Sequence, residues 1–251
     1  MFNLKPRFYL KKTGFYIILS FGDSMRMRKK KYLNERLEAV GNNLFTINID
    51  DRNFNTAIEE KEYLNFREIF KNDNPIYLEI GCGKGKFACE YAKTHPEINL
   101  IAVEKTANVI VGACENAQKE NIDNLYFIGG SAEYLPRFIA PNTIDRIFLN
   151  FSCPFPKKAY AAHRLTHRRF LKIYKELLKS GAEIHQKTDN MHFFEFSIEE
   201  FSQSGFALKN VTFDLHNSDF QGNIVTEYEA RFSSQGFPIY RLEAYLGEND
   251  D

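Results

Sequence analysis

The chain has 251 residues, 43% hydrophobic and 15% aromatic, enough for one medium-sized domain with extensions and a substantial core. Fourteen Gly and eight Pro are ordinary usage and exclude collagen-like or low-complexity character. Thirty-three Lys/Arg balance thirty-three Asp/Glu, so any attraction to a polyanion must come from charge placement rather than net charge.

That placement is uneven. Residues 1–36 hold ten Lys/Arg against Asp23 and Glu35. Residues 157–175 hold seven Lys/Arg and no acid. Two basic stretches in a neutral chain suit a polyanionic partner, and equally suit two solvated faces. Residues 15–21 are apolar and follow Lys11 and Lys12, a faint signal-peptide pattern, but Gly22-Asp23-Ser24 is a poor cleavage site. The run 25–31 reads as a more natural start, so residues 1–24 are expected to be an extension or a misplaced start. No stretch is expected to span a membrane. Cys82, Cys89, Cys114 and Cys153 form no C-x-x-C pair and have no zinc-spaced histidines. Free thiols, a cytoplasmic setting and no metal are the expectation.

Residues 1–72 read as a basic extension and linker, and residues 73–251 as the folded domain. Ile76–Ile80 is a buried strand that runs into glycines. Residues 85–93 are a helix, 100–103 a strand, 107–118 a helix and 125–128 a strand. Ile144–Asn150 is the next strand. Phe170, Ile173, Tyr174, Leu177 and Leu178 share one face of a helix that Gly181 is expected to end. Strand 182–187, helix 191–203, strand-like residues 206–215 and strand 239–245 complete the pattern. Seven strands alternating with helices predict a mostly parallel α/β sheet with helices on both faces. Ligands on such sheets bind beyond the carboxyl ends of the strands.

At that edge lies Glu79-Ile80-Gly81-Cys82-Gly83-Lys84-Gly85. Gly81, Gly83 and Gly85 let backbone approach a ligand closely, but the G-x-G-x-G spacing is not the dinucleotide fingerprint. Glu104 ends the second strand, where a carboxylate can accept bonds from two ribose hydroxyls. Glu79 would repel a pyrophosphate but suits a cationic ligand. S-adenosylmethionine, with an ammonium, a sulfonium and no phosphate, fits this set better than NAD. Ser131, after the third strand, can bond an adenine amino group or cap the following turn.

Beyond the fourth strand, Asn150-Phe151-Ser152-Cys153-Pro154-Phe155-Pro156-Lys157-Lys158 combines a rigid loop, an aromatic surface and lysines suited to phosphates. His163, Arg164, Arg168 and Arg169 continue the basic surface. Asp189 follows the fifth strand, and Thr226-Glu227-Tyr228-Glu229 precedes the last.

From about Met25 onward the sequence resembles the bacterial tRNA (guanine(46)-N7)-methyltransferase family. The motifs that carry the likeness are MRMRKKKYLNERL, YLEIGCGKGKF, LIAVEK, FLNFSCPFPKK, HRLTHRRFL, HQKTDN and DLHNSDFQGNIVTEYEARFSSQGFPIYRLEA, in that order. The resemblance implies a Rossmann-like class I S-adenosylmethionine-dependent methyltransferase that acts on tRNA, as monomer or homodimer. It implies cofactor contacts at Glu79, Gly81, Gly83, Gly85, Glu104, Ser131 and Cys153. It implies substrate contacts at Lys157, Asp189, Thr226, Glu227, Tyr228 and Glu229, and RNA contacts at Lys158, His163, Arg164 and Arg168. Cys153 and Asp189 occupy the catalytic positions. The chain departs from the family at Cys153-Pro154-Phe155, where Asp-Pro-Trp is usual, and at Ala159, Ala161 and Ala162, often Arg or Lys. Burial is expected to keep the Cys153 thiol neutral. A tRNA-binding protein without activity is the alternative that the cysteine suggests.

Overall fold

The computed structural model describes residues 30–48 and 58–247. The expected extension at 1–24 and most of the first basic stretch lie outside the described residues. The elements are α1 (Leu33–Ala39), β1 (Leu44–Thr46), α2 (Phe66–Phe70), β2 (Ile76–Ile80), α3 (Lys86–Thr94), β3 (Asn99–Glu104), α4 (Ala107–Lys119) and β4 (Leu125–Gly129). Next come α5 (Leu135–Phe138), β5 (Ile144–Asn150), α6 (Arg168–Leu177) and β6 (Leu178–Thr188). The chain closes with α7 (Met191–Gln203), β7 (Phe206–Thr212), α8 (Glu227–Ser233) and β8 (Tyr240–Leu246).

The strands form one sheet in the order β1-β4-β3-β2-β5-β6-β8-β7. The first six are mutually parallel; β8 runs antiparallel to β6, and β7 antiparallel to β8. The sheet therefore has eight strands, not the expected seven. The eighth is β1, whose Leu44, Phe45 and Thr46 pair with Phe127, Ile128 and Gly129 at the edge. Ile47 N then donates to Gly129 O at 2.9 Å, continuing the pairing.

Side-chain alternation splits the core into two layers, as expected for helices on both faces. In β3, Ile101 and Val103 join Phe66, Phe70, Leu135, Phe170, Tyr174 and Phe194 on one side. Leu100 and Ala102 join Phe87, Tyr91, Ile110 and Ala117 on the other. Helix α6 does not end at Gly181. It gives way to β6 at Leu178, which is buried and pairs with Ile144. Gly181, at φ +74°, lies instead inside a bulge: between the pairs Ile144–Leu178 and Arg146–Glu183, four residues of β6 face one of β5. Among the described residues no helix is long and apolar enough to cross a membrane.

Candidate active site

Parallel pairing brings the carboxyl ends of β2, β3, β4, β5 and β6 to one edge. Register sets Ile80 beside Val103, Glu104 beside Gly129 and Asn150 beside Lys187. The sheet is wound outward in both directions from β2 and β5, which opens a crevice at their ends.

The glycine turn lies there. Gly81, Gly83 and Gly85 all hold positive φ. Gly85 has a second constraint: a Cβ there would lie 2.7 Å from Ala113 Cβ and 3.2 Å from Ala113 Cα, so α3 can pack on α4 only with glycine at its start. Glu104 is held by two backbone donors, Gly83 N at 3.3 Å and Thr106 N at 2.9 Å, one on each carboxylate oxygen. Each oxygen keeps a lone pair for a hydroxyl.

Glu79 is buried, and Asn150 Nδ2 donates to its Oε1 at 3.1 Å. Its Oε2 is buried with no partner. Burial pushes this carboxyl up to about 7, aided by the Glu104 charge and opposed by Asn150 and Lys187. A buried carboxylate oxygen without a donor is costly, and an ammonium group from a ligand would satisfy it. Ser131 is half-buried and precedes the turn Ala132–Tyr134, yet its hydroxyl makes no capping bond there. These donors and acceptors fit S-adenosylmethionine. Cys82 turns inward, and burial drives its thiol well above the ordinary value.

The substrate side is built on the loop after β5. Phe151 takes φ +49°, with its N–H donated to Lys187 O at 2.8 Å. Cys153 is exposed, contrary to the expectation that burial keeps its thiol neutral. Arg164 turns part of its guanidinium inward. Its Nε and Nη2 donate to Pro154 O and Phe155 O at 2.8 and 3.0 Å, and its guanidinium lies 4.3 Å from the Phe196 ring centre. It thereby holds the Cys153–Phe155 turn. Arg168 is likewise engaged, with Glu200 at 2.7 Å and Gln203 at 2.8 Å. Lys157, Lys158 and His163 are exposed.

Asp189 is half-buried just past β6, where burial raises its carboxyl above the ordinary range. It does not cap α7; Asn190 does, accepting Phe193 N at 2.8 Å. The Thr226–Glu229 stretch divides in two. Tyr228 is 56% exposed and Glu227 pairs with Lys84 at the surface. Thr226 and Glu229 are buried and form the capping box of α8. Glu229 receives Lys187 Nζ at 2.7 Å and Asn223 Nδ2 at 2.5 Å, with His216 Nε2 at 3.1 Å. Lys187 also donates to Asn223 Oδ1 and Ile224 O. The structure thus bonds Asn150 to Glu79 and brings Glu104 and Lys187 near enough for their charges to act on it. Asn150 and Lys187 open the two loops expected to face the substrate, but sequence alone assigned them no role, because their partners Glu79 and Glu229 are remote in the chain.

A glycine turn at the switch point of a mostly parallel sheet, flanked by carboxylates on two strand ends, one of them buried with an unpartnered oxygen, is the site of an S-adenosylmethionine-dependent methyltransferase. The family model described as "Putative methyltransferase" matches residues 73–242. A tRNA (guanine-N(7)-)-methyltransferase of Bacillus cytotoxicus is 43% identical over 220 residues, covering 88% of this chain and 96% of the relative. The chain belongs to the tRNA (guanine-N7)-methyltransferase family. In fold it is also similar to a 30S ribosomal A1408 methyltransferase from an uncultured bacterium (TM-score 0.51, 16% identity, 74% of this chain and 95% of that one). A 16S rRNA methyltransferase, KamB, gives TM-score 0.51 at 13% identity, with 80% and 95% covered.

Proposed function

We propose that this protein methylates N7 of the guanine at position 46, in the variable loop of tRNA, giving 7-methylguanosine in the cytoplasm. The observation that carries this reading is the 43% identity to a tRNA (guanine-N(7)-)-methyltransferase over 96% of that relative. The methyltransferase domain is taken as residues 73–251 and residues 1–72 as its extension, although β1 and α2 of that extension pack onto the sheet.

In this reading Glu79 takes the cofactor's ammonium group, Glu104 its ribose and Ser131 its adenine, while the Gly81, Gly83 and Gly85 backbone lies along it. When bound, S-adenosylmethionine supplies an electrophilic methyl on a sulfonium that departs with the bonding pair. Guanine N7 has an in-plane lone pair and no proton, so no side chain must act as base. The protein's work is alignment, which can be worth up to roughly 7–11 kcal/mol. Asp189 accepts from guanine N1 and the exocyclic amine. Thr226, Glu227 and Tyr228 border the base, and Glu229 holds them in place from behind. Lys157, Lys158 and His163 face the phosphates.

Incubation with unmodified tRNA and methyl-labelled cofactor, then nucleoside analysis, should give labelled 7-methylguanosine. A tRNA with adenine at position 46 should give none. Label in another nucleoside, or none at all, would sink the reading.

The corrected basic surface yields a second expectation. Binding should weaken with salt, and the double variant Lys157→Ala, Lys158→Ala should flatten the log–log slope by roughly 0.7–0.9 per lost phosphate contact. Arg168→Ala should leave the slope unchanged, because that guanidinium is already occupied by Glu200. A wild-type slope in the double variant would remove both lysines from the interface.

A further inference from the structure

The geometry points to Phe151 and Tyr228 as an aromatic pair that stacks on the target guanine; the inference rests on the tRNA reading above. Their rings lie 18° from parallel with centroids 6.5 Å apart. Near-parallel aromatic faces at one place offer a surface on which a flat base can stack. Three further observations select this pair from the many aromatic contacts in the molecule.

First, Phe151 holds φ +49°, a left-handed conformation that a bulky residue without a polar side chain adopts only under constraint. The constraint is local: its N–H is donated to Lys187 O. Such strain aims a side chain, and it gathers where function requires a direction. Second, Tyr228 is more than half exposed on the first turn of α8, an unfavourable place for a large ring that has no ligand. Third, both rings are tied to one residue, one through its backbone and the other through its side chain. Lys187 ties Phe151 through its carbonyl, and through its ammonium it ties Ile224 O, Asn223 and Glu229, the neighbour of Tyr228. The pair therefore sits on a rigid mount next to Asn150, whose side chain holds the buried Glu79.

The chemistry suits the location. Transfer of a methyl cation to N7 leaves the purine positively charged, and aromatic faces attract a cation more than a neutral base. Stacking that tightens as the charge develops favours the transition state over the bound substrate. The pair would thus select a flat purine, position it and assist its alkylation.

The chain contains no tryptophan, so Tyr228→Trp places a single fluorophore at the site. Its emission should be quenched by tRNA carrying guanine at the target position, and much less by the same tRNA with an abasic target. Phe151→Leu and Tyr228→Leu should each slow single-turnover methylation roughly 10- to 100-fold, the scale of one lost base–aromatic stack, with cofactor and tRNA affinities within about threefold of wild type. Tyr228→Phe should restore the rate. Equal quenching by both tRNAs, or wild-type rates in both leucine variants, would overturn the pair. Should Phe151→Leu fail to bind cofactor, the surface change Tyr228→Leu carries the test alone. A wild type that makes no 7-methylguanosine overturns the tRNA reading; an active wild type with unaffected leucine variants overturns only the pair.

Discussion

Asp189→Ala should lower turnover about 100-fold or more while cofactor affinity stays near wild type, the scale of losing one bidentate base contact in a site built around it. The carboxylate is half-buried at the end of β6, and among the described residues no side chain pairs with it. Helix α7 does not depend on it, because Asn190 supplies the cap. Loss of activity would therefore report loss of guanine recognition rather than a melted helix. Cys153 provides the contrast. It is exposed on a loop whose shape is set by Pro154, Pro156 and the two bonds from Arg164. Cys153→Ser should keep a large part of the rate, and Cys153→Asp, which restores the usual family residue, should be tolerated or faster. A covalent role predicts a dead Cys153→Ser and a trapped protein–RNA adduct. Single-turnover methylation by the three variants, beside calorimetric cofactor binding, separates the two accounts. A Cys153→Ser protein that binds both ligands without turning over would refute alignment as the main source of rate.

Local features were legible in the sequence and distant pairings were not. The strands β2, β3 and β4 are largely apolar runs and β5 keeps an apolar Ile147-Phe148-Leu149 centre, so their existence followed from pattern, whereas the polar β6 was legible mainly from its place in the strand–helix alternation. The glycine turn, Glu79 and Glu104 lie within 26 residues of one another on adjacent strands, and the turn brings their roles together without help from remote chain. Strand β1 was missed because three residues with one buried side chain carry no periodicity; only the β4 edge makes them a strand. The engagement of Arg164 and Arg168 within the chain was not legible, because a sequence displays charge without its partner. Glu200, which engages Arg168, is 32 residues away, and the carbonyls that Arg164 takes come from a loop with no periodic signal. The same ignorance of partners made Glu229 look like a ligand-facing acid. Its capping-box spacing, Thr-x-x-Glu, was the available hint that the carboxylate turns inward at the start of its helix, where Lys187, Asn223 and His216 meet it.

The largest effect on stability should come from Lys187→Met. The ion pair of Lys187 with Glu229 is almost wholly enclosed, with side-chain exposures of 7% and 0%. Burial pulls the lysine below its ordinary range, while Glu229 and Glu79 hold it up. Two charges in such a place do not add much over an apolar pair of equal volume, since desolvation offsets their attraction. Removing one of them is different: Glu229 would keep Asn223 and His216 but lose its cation in the interior. Breaking a pair of this kind costs about 3–5 kcal/mol, a large share of a typical domain's stability. Lys187→Met should therefore lower the urea midpoint sharply. The double variant Lys187→Met, Glu229→Leu should recover most of that loss, because no uncompensated charge remains. Recovered stability should not bring back activity: the hydrogen bonds that mount the 223–229 segment beside Phe151 would still be gone, so methylation should stay slow at full cofactor occupancy. If the single variant unfolds at the wild-type midpoint, the pair is solvated in solution and Lys187 is no mount. If the double variant instead regains the wild-type rate, the enclosed charges matter for folding alone, and the site is held by other contacts.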